Sequence, residues 1–251
     1  MGSVICITGM HRSGTSLTAS WLQLCGLRID DRALYGPSVG NPKGHFEDVD
    51  FVELHASAAR SQHPASDGWR VFGSDFLEFP LEERKRAISL VHSRAAKYRS
   101  WGWKDPRSVM FLPQWKNLVP SLKTVLVWRP CSEVVASLVR RSSNRGSNHH
   151  YRISLLQSVR LWKYYNERVC EYKTLYPNES LLLCIHDILQ DDRRVLELIN
   201  QRFGTDLTFR PIRGLFDPNV MHRRAGLRVR AMATVCHAAE LEVRLRESSD
   251  V

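Results

Sequence analysis

Gly9 and Gly14 bracket four residues near the start of the chain, and Thr15 and Ser16 follow directly. Glycines at this spacing suit a loop whose backbone N–H groups, with a helix N-terminus behind them, form a nest for a phosphate-like anion. ATP- and GTP-binding loops of this spacing place a lysine right after the second glycine. Here Thr15 takes that place, and the loop's cation, Arg12, comes before Gly14. The nest itself does not need the lysine. Ser13, Thr15 and Ser16 add hydroxyl donors, and Arg12 can reach a phosphate oxygen. A kinase or ATPase also holds Mg²⁺ with an acid at the end of another strand. The apolar run at 124–128 ends in Arg129, which leaves His186-Asp187, after the apolar run at 180–185, as the candidate.

A second constellation is "RPCSEVVAS". Arg129 closes an apolar strand and Ser137 lies eight residues on, inside the next helix. One turn-forming segment separates them, so the two side chains can converge on an anion near the helix start. A third is "NPKGHFED", a Gly/Pro loop that brings Glu47 forward as a proton acceptor. Glu47 has the alternative reading of an acid at a helix N-terminus, favoured by the dipole. Asp48 is a lesser candidate base, as is Asp105, which reads better as a cap of the turn before Pro106.

These residues need elements to hold them. "VICIT" at 4–8 is a β-branched run suited to a strand buried on both faces, and a helix is expected from Thr15 with Gly26 closing it. Helices follow in "FEDVDFVELHASAA" and in "PLEERKRAISLVHSRAAKYRS", the latter with Ile88, Val91 and Ala95 facing inward. "WGWKDPR" is a short strand ending in a turn. "TVLVW" and "SLLLCI" are further strands, with "RPCSEVVASLVRR", "ISLLQSVRLWKYYNERVCEYKTLY" and "RRVLELINQRFG" as helices. The basic tail reads as a loop and one helix. Alternating strands and helices predict an α/β fold, three layers deep, with a central, mostly parallel sheet flanked by helices.

Length and composition agree with that. The 251 residues are 43% hydrophobic and 25% charged, which suits a single domain over 1–251, with a core at about 4–205 and a basic loop and helix at 206–251. Lys and Arg number 36 against 26 Asp and Glu, a formal charge of +10, which favours an anionic ligand. Arginine's planar fork suits phosphate or sulfate. The six scattered cysteines contain no C-x-x-C pair and the ten histidines no zinc spacing, so reduced thiols and no metal are expected. No stretch is long and apolar enough for a membrane span, and a cytoplasmic protein is expected. No basic stripe interleaved with aromatics points to nucleic acid.

Together the segments resemble the sulfotransferases that use 3′-phosphoadenosine 5′-phosphosulfate (PAPS). That family carries a loop of type [KR]-S-G-[TS]-[ST] after its first strand, matched by Arg12, Ser13, Gly14, Thr15 and Ser16. It also carries an R-x₇-S segment, matched by Arg129 and Ser137. "WKDPR" is similar to a segment of the tyrosylprotein sulfotransferases, "NPKGHFED" is shared in similar form by many bacterial members, and so is the Trp-x-x-Tyr run at Trp162 and Tyr165. The resemblance spans about residues 4–205. It implies a P-loop-like fold, the 5′-phosphosulfate on the first loop, and the 3′-phosphate on Arg129 and Ser137. It implies transfer assisted by Lys104, and 3′-phosphoadenosine 5′-phosphate (PAP) as product.

On this reading a sulfuryl group passes to an acceptor hydroxyl or amine of a carbohydrate, lipid or small molecule. Arg12 and Lys104 neutralise the leaving phosphate, and Glu47, with His45 as rival, takes the proton. The segments at 30–46, 60–80 and 142–150 are expected on the acceptor side. Arg141 is expected toward the adenine by the same resemblance, and Arg223 and Arg224 near the 3′-phosphate. The competing readings are a Mg²⁺-dependent P-loop kinase of a small molecule and a non-catalytic anion-binding module.

Overall fold

A computed structural model describes the chain except residues 1, 30–33, 35, 37–43, 67, 71–72, 74, 144–152 and 217–225. Four strands form the sheet: β1 (Val4–Thr8), β2 (Trp101–Lys104), β3 (Lys123–Trp128) and β4 (Ser180–Cys184). Their order is β2-β1-β3-β4 and every neighbouring pair is parallel. The apolar runs have the strand period of two, and both of its faces are covered. Ile5, Ile7, Val125, Val127, Leu181 and Leu183 enter one core; Val4, Cys6, Leu126, Trp128, Leu182 and Cys184 enter the other.

The first core is closed by α1 (Thr15–Leu24), α7 (Ile185–Gln190) and α8 (Asp192–Phe203). The second lies under α2 (Val49–Gln62), α3 (Leu81–Lys97), α4 (Leu112–Leu118), α5 (Cys131–Ser143), α6 (Leu155–Leu175) and the C-terminal helices α9 (Leu227–Val235) and α10 (Ala238–Glu247). The molecule is therefore a three-layer α/β fold in which a glycine loop joins β1 to α1. Six of the seven tryptophans are buried, with Phe51 stacked on Trp103 at 4.5 Å between centroids, so the half-buried exception, Trp69, calls for a separate explanation.

Several elements differ from the sequence expectation. α1 is not among them: it ends at Leu24 and Gly26 closes it as expected, at φ +109°, with Gly26 N donating to Gln23 O and Leu27 N to Leu22 O. Among its described residues the tail holds two helices, α9 and α10, where one was expected. α3 turns a different face inward: Ala87 is buried and Leu90 and Val91 are half-buried, while Ile88 and Ala95 are exposed. Arg94 sets that rotation. Its Nη2 lies 3.0 Å from Asp48 and 2.8 Å from Asp50 of the α2 N-terminus, an ion pair buried between the two helices. An apolar tally misses it because the buried residue is charged.

The sheet's β4 edge is closed by the end of the chain. The backbone N–H of Asp250 donates to Leu182 O at 3.0 Å, and its carboxylate accepts from Leu182 N at 2.8 Å and from Lys173 Nζ. An open strand edge is a row of unpaired donors and acceptors, and this contact blunts it. Asp250→Ala should lower the unfolding free energy by about 2 kcal/mol, the scale of a charge-assisted hydrogen bond. Urea denaturation checks this; an unchanged midpoint would show the edge to be held by other contacts.

Candidate active site

The chain leaves β1 for β2 on one side and returns to β3 on the other. The crevice between the β1 and β3 carboxyl ends is thus the switch point where open α/β sheets bind ligands. The glycine loop follows β1 and Arg129 follows β3, whose register pairs Thr8 with Leu126. Gly9 lets the loop pass β3: at φ +146°, a Cβ there would stand 2.0 Å from Val127 O. Gly14, at φ +98°, precedes α1 without any side-chain cap. A Cβ there would meet the Ile185 side chain at 2.6 Å. Arg12 itself has φ +71°, which turns the loop tightly, and Ser13 N donates to Met10 O. Ser13 is fully buried and its Oγ has no hydrogen-bond partner. A buried orphan hydroxyl at an uncapped helix N-terminus fits an oxyanion held there.

The two sequence constellations meet here. Arg12 Nε donates to Ser137 Oγ at 3.0 Å across 125 residues of sequence. Arg129 is buried, with its Nε donating to Glu133 Oε2 at 2.7 Å and its carbonyl accepting from Trp162 Nε1. Glu133 in turn faces His186 Nε2 at 3.0 Å. Burial by itself would raise the Glu133 carboxyl; His186 and Arg129 outweigh it and hold it below its usual value. Glu133, Ser137 and Arg141 recur every four residues, so they form one stripe along α5 beyond Arg129. Burial, and then the charges of Arg141, Arg129 and Arg140, push the Arg12 guanidinium down to about 10. An anion beside Arg12 and Arg129 would relieve part of that repulsion.

Lys104 closes the other side of β1. Its Nζ donates to Glu47 Oε1 at 2.7 Å, Ser16 Oγ at 3.1 Å and His45 O at 3.2 Å. The structure thus brings Lys104, Ser16, Glu47 and His45 together. It also separates the two readings of Glu47. The α2 cap is Asp48, whose carboxylate accepts from Asp50 N, while Glu47 lies outside the helix and is turned to Lys104 and, at 3.9 Å, to Arg107. Burial first, then Lys104, Arg141 and Arg12 against the opposing Glu47, lower the His45 imidazole. Arg223, Arg224, residues 41–43 and most of the expected acceptor segments at 30–46 and 142–150 lie outside the described residues.

Asp105 does cap its turn, accepting from Arg107 N at 2.9 Å, and does more. Its carboxylate faces the Arg107 guanidinium at 3.0 Å and His55 Nδ1 at 2.8 Å. Trp115 Nε1 donates to His55 Nε2, so that imidazole is the neutral tautomer that donates from Nδ1 to Asp105. Arg107 had no assigned role in the sequence, and nothing in its motif announced a link between a buried Trp-His-Asp chain and Glu47. His11 and Trp69 were missed too. The two rings stack at 4.1 Å, and Tyr165, whose hydroxyl donates to Gly68 O, meets the His11 edge. His11 is buried with Nε2 unpartnered, and burial, then Arg107, Lys104 and Arg141 against Asp105, hold it neutral.

The chain matches no protein-family model. No curated protein matches it either. Solved structures overlap with it. A sulfotransferase from Mycobacterium tuberculosis covers 93% of this chain and is covered over 76% of its own, at 14% identity and TM-score 0.49. The sulfotransferase domain of an olefin synthase from Synechococcus covers 98%, is covered over 92%, and shows 16% identity and TM-score 0.49. A sulfotransferase from Mycobacterium avium covers 96%, is covered over 76%, and shows 14% identity at the same TM-score of 0.49.

Burial alone would raise the Asp105 carboxyl, but the Arg107 charge and the His55 hydrogen bond outweigh it and hold it below the ordinary carboxylate range. A depressed folded value means stabilisation that is full above the unfolded value of about 3.9 and is lost as pH falls through the folded one. Asp105→Asn should cost about 3–5 kcal/mol at neutral pH, as for a broken buried pair. In urea titrations the gap from wild type should hold down to about pH 4 and narrow below it. A gap that closes already above about pH 5 would contradict the assignment.

Proposed function

We propose that the protein is a PAPS-dependent sulfotransferase. The observation that carries this is the contact of Arg12 with Ser137 beside Arg129, above the buried orphan hydroxyl of Ser13. It brings into contact the two segments that resemble the family's phosphosulfate and 3′-phosphate motifs, as one anion-binding wall would require. The glycine-loop cradle, which a Cβ at Gly9 or Gly14 would fill, and the repelling arginines fit a ligand with two separated phosphate-type groups. PAPS supplies an activated sulfuryl group on a phosphate leaving group. Arg12, Ser13, Gly14, Thr15 and Ser16 would hold the 5′ end, and Arg129 and Ser137 the 3′-phosphate.

In the transfer, the sulfur–oxygen bond to phosphate breaks and its electron pair stays on the phosphate. A new sulfur–oxygen or sulfur–nitrogen bond forms to the acceptor, whose proton goes to Glu47. Lys104 has two tasks. Its bond to Glu47 orients the carboxylate, and its bond to Ser16 places the ammonium beside the glycine loop where negative charge builds on the leaving group. His45, lowered by burial and neighbouring cations, is the second group able to take the proton.

A second reading, a non-catalytic anion-binding module, has one observation in its favour: the protein itself engages Lys104 with three acceptors. Variants separate the two. Arg12→Ala and Arg129→Ala should each weaken PAP binding by roughly 10- to 100-fold in calorimetry. Lys104→Ala should leave PAP binding measurable and cut transfer of labelled sulfuryl groups from PAPS by about 10²–10³, and Glu47→Gln by about 10²–10⁴. Unchanged PAP binding in both arginine variants would overturn the site. Full transfer by Lys104→Ala and Glu47→Gln would overturn the catalytic roles.

A further inference from the structure

Arg141 lies one turn beyond Ser137 on α5, half-buried, with its guanidinium carbon 5.4 Å from the centre of the Trp69 ring. Among the described residues it makes no hydrogen bond and no ion pair. A guanidinium has five donors, and leaving them without acceptors in a partly desolvated place is costly. Its surroundings make that cost larger. Arg12, His11 and His45 all feel its charge, and Glu47 is the carboxylate within its electrostatic reach, itself held by Lys104. Arg141 is therefore near enough to act on both the glycine loop and the proposed base.

Trp69 supports the same placement. It is the one tryptophan that is only half-buried, packed against the rim of the second core, and its ring is stacked on His11, the residue before Arg12 in the glycine loop. The Gly68 carbonyl is fixed by Tyr165, and a Cβ on Gly68 would press on Arg107 Cγ at 2.9 Å. The Trp69 indole, an arginine without a carboxylate partner and the buried unpartnered Nε2 of His11 thus lie together, with Glu47 within the electrostatic reach of the arginine. This combination is what a ligand with a flat or ring-shaped body and an acidic group would engage.

We propose that Arg141 and Trp69 form the acceptor subsite, and that the acceptor carries an acidic group, such as a carboxylate, next to the hydroxyl or amine that is sulfated. The acid pairs with the Arg141 fork and the ring body lies along Trp69, which turns the reacting atom toward Glu47. This rests on the sulfotransferase reading above and makes Arg141 a specificity residue rather than part of the nucleotide site.

The test uses the full chain, labelled PAPS and matched acceptors: glucose with glucuronate, and p-cresol with p-hydroxyphenylacetate. PAP affinity is measured in parallel. The acidic member of at least one pair should be sulfated with a kcat/KM about tenfold or more above its neutral partner. Arg141→Gln should remove that preference through KM of the acidic acceptor, Arg141→Lys should restore part of it, and PAP affinity should change by less than about twofold in either variant. Equal use of both members, or no transfer to any acidic member by a protein that binds PAP, overturns the acceptor proposal alone. Loss of PAP affinity in Arg141→Gln assigns the arginine to the nucleotide and overturns it too. Failure of the wild-type protein to bind PAP instead sinks the underlying sulfotransferase reading.

Discussion

Like charges gathered in a partly dry place repel, and the ends of β1 and β3 gather Arg12, Arg129, Arg140 and Arg141. The fold has to hold them against that repulsion. It does so with a stripe along α5, where Glu133 takes Arg129 and Ser137 takes Arg12, and with a sheet whose central strands are buried on both faces. Gly9 is the point where this becomes possible. No side chain would let the loop pass Val127 O, and without that passage Arg12 would not reach α5. An anion bound beside Arg12 and Arg129 would offset what repulsion remains, and would so link the stability of this corner of the molecule to its ligand.

The site divides around β1. On the β3 side lie the arginines and α5; on the β2 side lie Lys104 and the carboxylates that it and Arg107 hold. Two buried acids do different work there. Asp105 is committed to structure by Arg107, His55 and the turn it caps, whereas Glu47 sits outside its helix, with its oxygens turned to two cations at the mouth of the glycine loop. Ser16 couples the halves, because this second residue of α1, directly after the glycine loop, accepts from Lys104.

Much of this was legible in the sequence, for identifiable reasons. Strands buried on both faces are written as continuous apolar runs, so "VICIT", "TVLVW" and "SLLLC" stand out, and the alternating elements between them imply the parallel sheet. Gly9, Gly14 and Arg12 were readable because a tight strand-to-helix loop restricts residue type at short spacing, whereas Arg129 and Ser137 stood out only when paired with that loop through the family resemblance. What failed to show depends on contacts distant in sequence. Arg94 turned the α3 face through an ion pair to Asp48 and Asp50, so an apolar count chose Ile88 and Ala95 wrongly. Trp69 had no local signal at all, Arg107 gains its partners only once β2 is placed, and the four-residue polar stripe on α5 was present but looks like any solvated helix face. The end of the chain on β4 was likewise invisible, since Asp250 pairs with Leu182 by backbone and carboxylate together.

The account stands on one claim, that the arginine-lined crevice is built for a nucleotide with a 3′-phosphate and no bound metal. Calorimetric titration of the wild-type protein with PAP in the presence of EDTA, set beside ATP with Mg²⁺, tests it most directly. The account predicts that PAP binds with a dissociation constant in the micromolar range or tighter, about −8 kcal/mol or better, unchanged by chelator, and that Mg·ATP binds far more weakly. Mg²⁺-dependent ATP binding that is stronger than PAP binding would contradict it.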